Sequence, residues 1–272
     1  MDELRALQDK IAELHKQGRI QEIKPLWEQA VALARQTSGP KSIAYAVTLN
    51  DLASFCREIG EFEQAESSYL EAAEIIAEAE GKNSANYATT INNLAGLYRL
   101  KKDFSRAISY FKEALAIYEA TLGKDHFLYA SGLNNLGLVY QDLGEYQKAA
   151  DLHQQALNII RNLDNPLAYA TTLNNLAGPY RFLGKSGKAT VCLQEALKIY
   201  AEIVGKEHPL YASALNNLAA HFYLMGNYEL AKTHYLQALD IFVKTYGPND
   251  RRSISIMANL ERIEKKIGSD QN

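Results

Sequence analysis

Apolar positions along the chain recur at i, i+3, i+4 and i+7 and nowhere alternate, which predicts helices and no strands. In INNLAGLYRLKK, Ile91, Leu94, Ala95 and Tyr98 share one apolar face. After a short turn (KKD), Ala107, Phe111, Ala114 and Leu115 form another. This two-helix phrase opens at Leu49, Ile91, Leu133, Leu173 and Leu215, with a degenerate copy at Met257. Successive openings lie 42, 42, 40, 42 and 42 residues apart. The short interval falls in RNLDNPLAYA, whose loop has lost two residues relative to EATLGKDHFLYA. Counting back from Leu49 reaches Leu7, where LQDKIAELHKQG keeps Ile11, Leu14 and Gly18 in register.

A fixed period of this length marks a tandem array in which each unit is one helix pair. The expected fold is all-α: a right-handed solenoid of about six antiparallel helix pairs. It is expected to span residues 1–272 as one domain, with repeats at about 7–48 (degenerate), 49–90, 91–132, 133–172, 173–214 and 215–256. A polar helix over 253–267 is expected to cap it, made soluble by Lys265, Lys266 and the tail GSDQN. Small residues mark close helix approach: Ala65, Ala107, Ala149, Ala189 and Ala231. Four residues later stand the larger Tyr69, Phe111, His153, Leu193 and Tyr235. Ala72, Ala114, Ala156, Ala196 and Ala238 continue that face. Tyr45, Tyr87, Tyr129, Tyr169 and Tyr211 recur ahead of each phrase and are read as inter-repeat packing.

The spacing is the tetratricopeptide signature with its 34-residue period stretched. LNNLA..Y...G.Y..A.....AL.IY....G..HP.YA resembles the 42-residue tetratricopeptide repeats of the kinesin light chain family, from Leu49 to about Tyr246. The resemblance implies a tetratricopeptide-repeat solenoid whose concave groove takes short cargo motifs with an aromatic residue among acidic ones. Light chains also carry a heptad coiled coil ahead of their repeats; none is seen here, so a motor-subunit role is not expected.

The paired asparagines are poor helix formers, yet they recur. At 100° per residue, Ile91, Leu94 and Tyr98 cluster within about 60° of one another. Asn92, Gly96 and Arg99 fall on a second stripe, and Asn93 lies near the neighbouring repeat. The first asparagines, Asn50, Asn92, Asn134, Asn174 and Asn216, thus form a ladder. Seven residues on stand Arg57, Arg99, Gln141, Arg181 and Tyr223, and between them the mostly small Ser54, Gly96, Leu138, Gly178 and Ala220. Amides can bond an extended peptide's N–H and C=O groups, and arginines favour carboxylates. These ten residues are the expected peptide-binding floor. The second asparagines (Asn93, Asn135, Asn175 and Asn217) are expected to be structural. Pro179, within a predicted helix, is expected to kink it, at a cost of about 3 kcal/mol were it to stay straight. Ser186, in place of Phe104, Tyr146 and Tyr228, and the early Gly187 mark the same unit as weaker.

Composition narrows the function. A net charge of −3 provides no basic field for nucleic acid. The amino terminus is charged from its second residue and no apolar run approaches a membrane span, so a cytoplasmic protein is expected. Cys56 and Cys192 read as buried free thiols. The histidines (His15, His126, His153, His208, His221 and His234) match no metal-ligand spacing. LGKSGKAT lacks the order of a phosphate loop and coincides with an inter-helix turn. With no catalytic constellation or cofactor motif, the expected function is a non-catalytic scaffold binding a peptide or partner protein in the groove. The alternative is a peptide-sensing regulator whose solenoid changes curvature on binding.

Overall fold

The computed structural model describes residues 2–17 and 19–270, so Gly18 and the last two residues of the tail lie outside them. Among the described residues the chain is helical, without strands. It divides into two compact units, 1–139 and 140–272.

The first unit opens with α1 (Asp2–Lys16), a 3-10 turn (Ile20–Glu22) and α2 (Ile23–Ser38). Two helix pairs follow: α3 (Ile43–Ile59) with α4 (Phe62–Glu80), and α5 (Ala85–Leu100) with α6 (Phe104–Leu122). Next comes α7 (Phe127–Asp142), in which the boundary between the units falls. The second unit continues with α8 (Tyr146–Ile160) and pairs α9 (Pro166–Phe182) with α10 (Ser186–Ile203) and α11 (Pro209–Leu224) with α12 (Tyr228–Tyr246). It closes with α13 (Arg251–Asp270), longer at both ends than the expected cap and packed on α12. Lys265 and Lys266 are exposed on it, as expected.

Each pair is held by the face its periodicity defined. Ile91, Leu94, Ala95 and Tyr98 are buried, as are Ala107, Phe111, Ala114 and Leu115. The five alanines of each recurring series are wholly buried, which lets paired helices approach at side-chain depth. Of the recurring tyrosines, Tyr45 bonds within its pair, its hydroxyl donating to Glu71 Oε1 (2.9 Å).

Every first helix from α3 onward begins at a side-chain cap. Ser42 Oγ accepts from Tyr45 N–H and Ser84 Oγ from Tyr87 N–H, both at 3.2 Å. His126 Nδ1 and His208 Nδ1 accept from Leu128 N–H and Leu210 N–H (3.1 Å each). Asn165 Oδ1 accepts from Ala168 N–H (3.0 Å), and Asp250 Oδ1 from Arg252 N–H (2.9 Å). The two loop histidines, matched to no chemistry by their spacing, thus have a structural task. The turn inside each pair needs a left-handed residue. Gly60, Gly144, Gly184 and Gly226 supply it with φ between 71° and 87°, and Lys102 adopts φ 62° in the same place.

Helix α9 runs unbroken through Pro179, which lies in its last turn at the buried position of Leu97 and Val139. Its missing N–H leaves the Asn175 carbonyl without its intrahelical donor, and only three residues of the helix follow it. LGKSGKAT is the α9–α10 turn, with α10 starting at Ser186.

Candidate functional site

The stripe formed by the first helices is built unit by unit. In the first unit, Asn93 Nδ2 donates to Asn50 Oδ1 (3.1 Å) and Asn135 Nδ2 to Asn92 Oδ1 (3.4 Å). In the second, Asn217 Nδ2 donates to Asn174 Oδ1 (3.0 Å). The second asparagine of one repeat therefore reaches the first asparagine of the repeat before it. Asn50, Asn92, Asn134 and Asn174 are correspondingly buried, at 7–9% exposure, where the angular reading put them on a face turned away from the core. Closely stacked repeats cover that face, and the ladder is an interlock between neighbours. Asn216 is half-buried. The first copy differs: Asp51 stands in the second-asparagine place, accepts from Asn50 Nδ2 (3.3 Å), and burial raises its carboxyl above the usual range.

The residues seven positions on also reach forward. Arg57 Nη1 donates to the Asn93 carbonyl (3.1 Å) and Arg181 Nη1 to the Asn217 carbonyl (3.3 Å). Glycine between them is a fitted absence of a side chain. A Cβ on Gly96 would lie 2.7 Å from Arg57 Nη1, and one on Gly178 2.8 Å from Gln141 Oε1. The space read as room for a peptide is filled by the preceding repeat's long side chain. Arg57, Arg99, Gln141, Arg181 and Tyr223 are all half-buried, so each keeps part of its surface on the stripe.

In the second unit this stripe opens into two cavities. One of about 330 Å³ is lined by Ser213, Asn216 and Asn217 of α11, Phe242 of α12, and Arg251, Arg252, Ser255 and Ile256 of α13. The Arg252 guanidinium is already neutralised there, its Nε 2.8 Å from Asp250 Oδ1 and its plane 3.6 Å above the Tyr246 ring. The other, of about 230 Å³, is lined by Arg181, Ala220, Tyr223, Leu224, Tyr235, Asn259 and Arg262. Tyr235 and the α13 residues were absent from the sequence-derived floor. The 42-residue register holds their signal, since Asn259 follows Asn217 by one period and Arg262 follows Ala220.

Other reactive groups are sequestered. Cys56 and Cys192 are free and buried, and burial pushes both thiols up to about 11. His153 fills a core position at 0% exposure, and burial lowers its imidazole to about 4. His221 is likewise fully buried, its Nε2 2.9 Å from Thr190 Oγ1. Among the described residues no group of His, Cys, Asp and Glu side chains could hold a metal ion, and no helix is long and apolar enough to cross a membrane.

Among curated proteins none matches this chain. Solved structures similar to it include BtubC (BKLC) from P. vanneervenii, with 29% identity and a TM-score of 0.58 over 74% of this chain and 83% of that one. A Podosopora anserina putative kinesin light chain with nearly identical TPR-like repeats aligns at 21% identity and a TM-score of 0.56, over 76% of this chain and 98% of that one. A Rap protein complexed with Competence and Sporulation Factor aligns at 16% identity and a TM-score of 0.68, over 99% of this chain and 73% of that one. The tetratricopeptide repeat profile matches residues 4–78, 47–120, 86–162, 128–202, 168–242 and 210–271, so successive matches run through the whole helical array. The chain belongs to the tetratricopeptide repeat family.

Proposed function

We propose that this protein is a non-catalytic scaffold that binds a peptide segment of a partner protein along the stripe of its first helices. The observation that supports this most is the opening of the stripe in the second unit. Asn216 lines one cavity, and Tyr223, about two turns on along the same face of α11, lines the other together with Arg181. Side-chain amides and guanidinium groups there offer directional donors to an extended chain, and tyrosine rings offer flat apolar surface. Within the first unit, Arg57 and Arg99 offer guanidinium donors of the same kind. Asn50, Asn92, Asn134 and Asn174 set the spacing of the repeats, and Gln141 packs over Gly178; peptide contact falls to the partly exposed groups. A single hydrogen bond contributes about 1 kcal/mol net, so affinity needs several repeats acting together. A chain of the same fold, the Rap protein, was solved with a bound factor, which fits a binding role for the array.

The test is selection of peptides from a random display library on the immobilised chain. Affinities of the winners are then remeasured on Asn216→Ala, Tyr223→Ala and Leu236→Ala. The first two variants are expected to weaken binding by about tenfold or more, on the scale of one or two lost contacts. Leu236, exposed on α12 away from the stripe, is expected to tolerate the change. Equal loss in all three, or none in the first two, would place recognition elsewhere.

A further inference from the structure

Helix α13 keeps the register of the array but not its burial. Its Ile254 stands where Ala46, Ala88, Ala130, Ala170 and Ala212 stand in the other repeats, all at 0% exposure. Its Met257 stands where Leu49, Ile91, Leu133, Leu173 and Leu215 stand, all at 4% or less. Ile254 and Met257 are instead 51% and 37% exposed. Helix α13 packs on α12, and among the described residues no second helix pairs with it. The exposed Val191 of α10 is a different case. Ser67, Ser109, Asp151 and Thr233 hold its place in the other repeats and are exposed as well. Val191 therefore lies on a surface open in every repeat, whereas Ile254 and Met257 lie on one that every other repeat closes.

Charges of opposite sign flank this apolar pair. Arg251, Ile254, Met257, Ala258 and Glu261 follow at helical spacing along one side of α13, and all five are exposed. Glu261 takes the place of the buried Ala53, Ala95, Ala177 and Ala219, small residues that let a paired helix come close. A helix seated as α12 is on α11 would press on that carboxylate, so the face suits a partner that brings a cation to this point. Arg251 in turn suits an anion, because the adjacent Asp250 carboxylate is already held by Arg252 (2.8 Å). Among the described residues neither Arg251 nor Glu261 forms an ion pair, while Glu264 turns to Lys232 (3.4 Å). The two charges lie ten residues apart, about 15 Å along the helix, with Ile254 and Met257 between them. A second α13 running antiparallel, with the two-fold axis at the level of Ile256, sets Arg251 opposite Glu261 at both ends at once and joins the apolar pairs at the centre. Helix α1 offers no such surface: among its described residues no large apolar side chain is exposed, and Arg5, Asp9, Lys10 and Glu13 are. Head-to-tail stacking through α1 thus has nothing apolar to set against α13.

We infer that α13 is a self-association surface and that its occupant is a second copy of this chain. Two copies pack α13 against α13 in antiparallel, bury Ile254 and Met257, and pair Arg251 of each with Glu261 of the other. The contact is isologous, so it closes at a dimer. It is independent of peptide binding, since Asn259 and Arg262 of the same helix line the cavity on the stripe.

The experiment is sedimentation equilibrium of the whole chain, from micromolar to submillimolar concentration at low ionic strength, with circular dichroism to confirm that each variant is folded. The wild type is expected to reach twice the mass of one chain and stop there. Met257→Asp puts an unpaired charge at the centre of the contact and is expected to raise the dimer Kd at least about tenfold. Arg251→Glu and Glu261→Arg each set like charges against one another at both ends, and each is expected to raise it about tenfold. The double variant Arg251→Glu with Glu261→Arg restores both pairs and is expected to return the Kd to near the wild-type value. That rescue requires the antiparallel arrangement, because parallel helices would set Arg251 against Arg251. Val191→Asp, on the surface open in every repeat, is expected to leave the dimer unchanged. Should Met257→Asp fail to fold, the charge reversals on exposed positions decide. A wild type that stays at the mass of one chain would overturn the proposal, as would a dimer indifferent to folded Met257→Asp or one weakened by Val191→Asp instead. Single reversals without effect, or a double variant no better than either of them, would overturn the antiparallel pairing. A mass that climbs past the dimer with concentration would mean open head-to-tail association and contradict the closed contact.

Discussion

Gly96 and Arg57 form a contact whose energy can be isolated. Glycine inside a helix ordinarily costs about 1 kcal/mol relative to alanine, so Gly96→Ala alone should stabilise α5 by that amount. The new Cβ, however, would lie 2.7 Å from Arg57 Nη1. The guanidinium must move, and its 3.1 Å bond to the Asn93 carbonyl is lost. A bond from a charged donor contributes about 1.5–3 kcal/mol when buried, and about 1–2 for this half-buried pair. In the wild-type background Gly96→Ala is therefore expected to be neutral or destabilising by up to about 1 kcal/mol. In an Arg57→Ala background nothing opposes the helix gain, and the same change should stabilise by about 1 kcal/mol. The coupling between the two sites is the difference, about 1–2 kcal/mol. Urea unfolding of the four proteins, followed by circular dichroism and compared at equal m-values, measures it. Stabilisation of about 1 kcal/mol in both backgrounds would mean that Arg57 does not occupy the Gly96 notch.

Further outcomes test other parts of the array. Asn93→Ala leaves the buried Asn50 side-chain oxygen (Oδ1) without its Asn93 donor and should cost about 1–2 kcal/mol in urea unfolding. Lys102→Gly removes a left-handed conformation from a residue bearing a Cβ and should stabilise by about 1 kcal/mol, seen as a higher melting temperature. Burial lowers the His153 imidazole to about 4 in the folded chain from its ordinary 6.5, so between those pH values the unfolded chain binds more protons. Stability is therefore full above 6.5 and falls as pH drops towards 4, by at most about 1.4 kcal/mol per unit from this group. His153→Phe, matching Phe111, should flatten that slope between pH 7 and 5. The buried His221, also lowered, keeps a remainder. Both thiols, held near 11, should react with a disulfide reagent at pH 8 only on unfolding.

The fold was largely legible because its determinants are local and repeated. A 42-residue period, alanines at fixed places and glycines at the turns each recur often enough to outweigh a divergent copy such as the one with Pro179 and Ser186. The caps were harder to read, since serine, histidine, asparagine and aspartate do the same work at successive loops and no single residue type marks the place. The stripe was half legible. Helical angle located Asn92, Gly96 and Arg99 on one face, but a helical wheel contains one helix only. Asn93 bonding Asn50, and Arg57 filling the notch at Gly96, depend on how the next repeat stacks. The cavity near Arg262 was overlooked because α13 reads as a polar cap, and its register with the asparagine phrase is worn down to Met257 and Asn259.

The most direct test of the scaffold account is photo-crosslinking of a peptide selected on the wild-type chain, with attachment sites located by mass spectrometry. The account predicts attachment to stripe residues, foremost Tyr223, Asn216 and Arg262 in the second unit. Attachment instead to the exposed Leu70, Val191 or Leu236 of the second helices, with the stripe unlabelled, would contradict it.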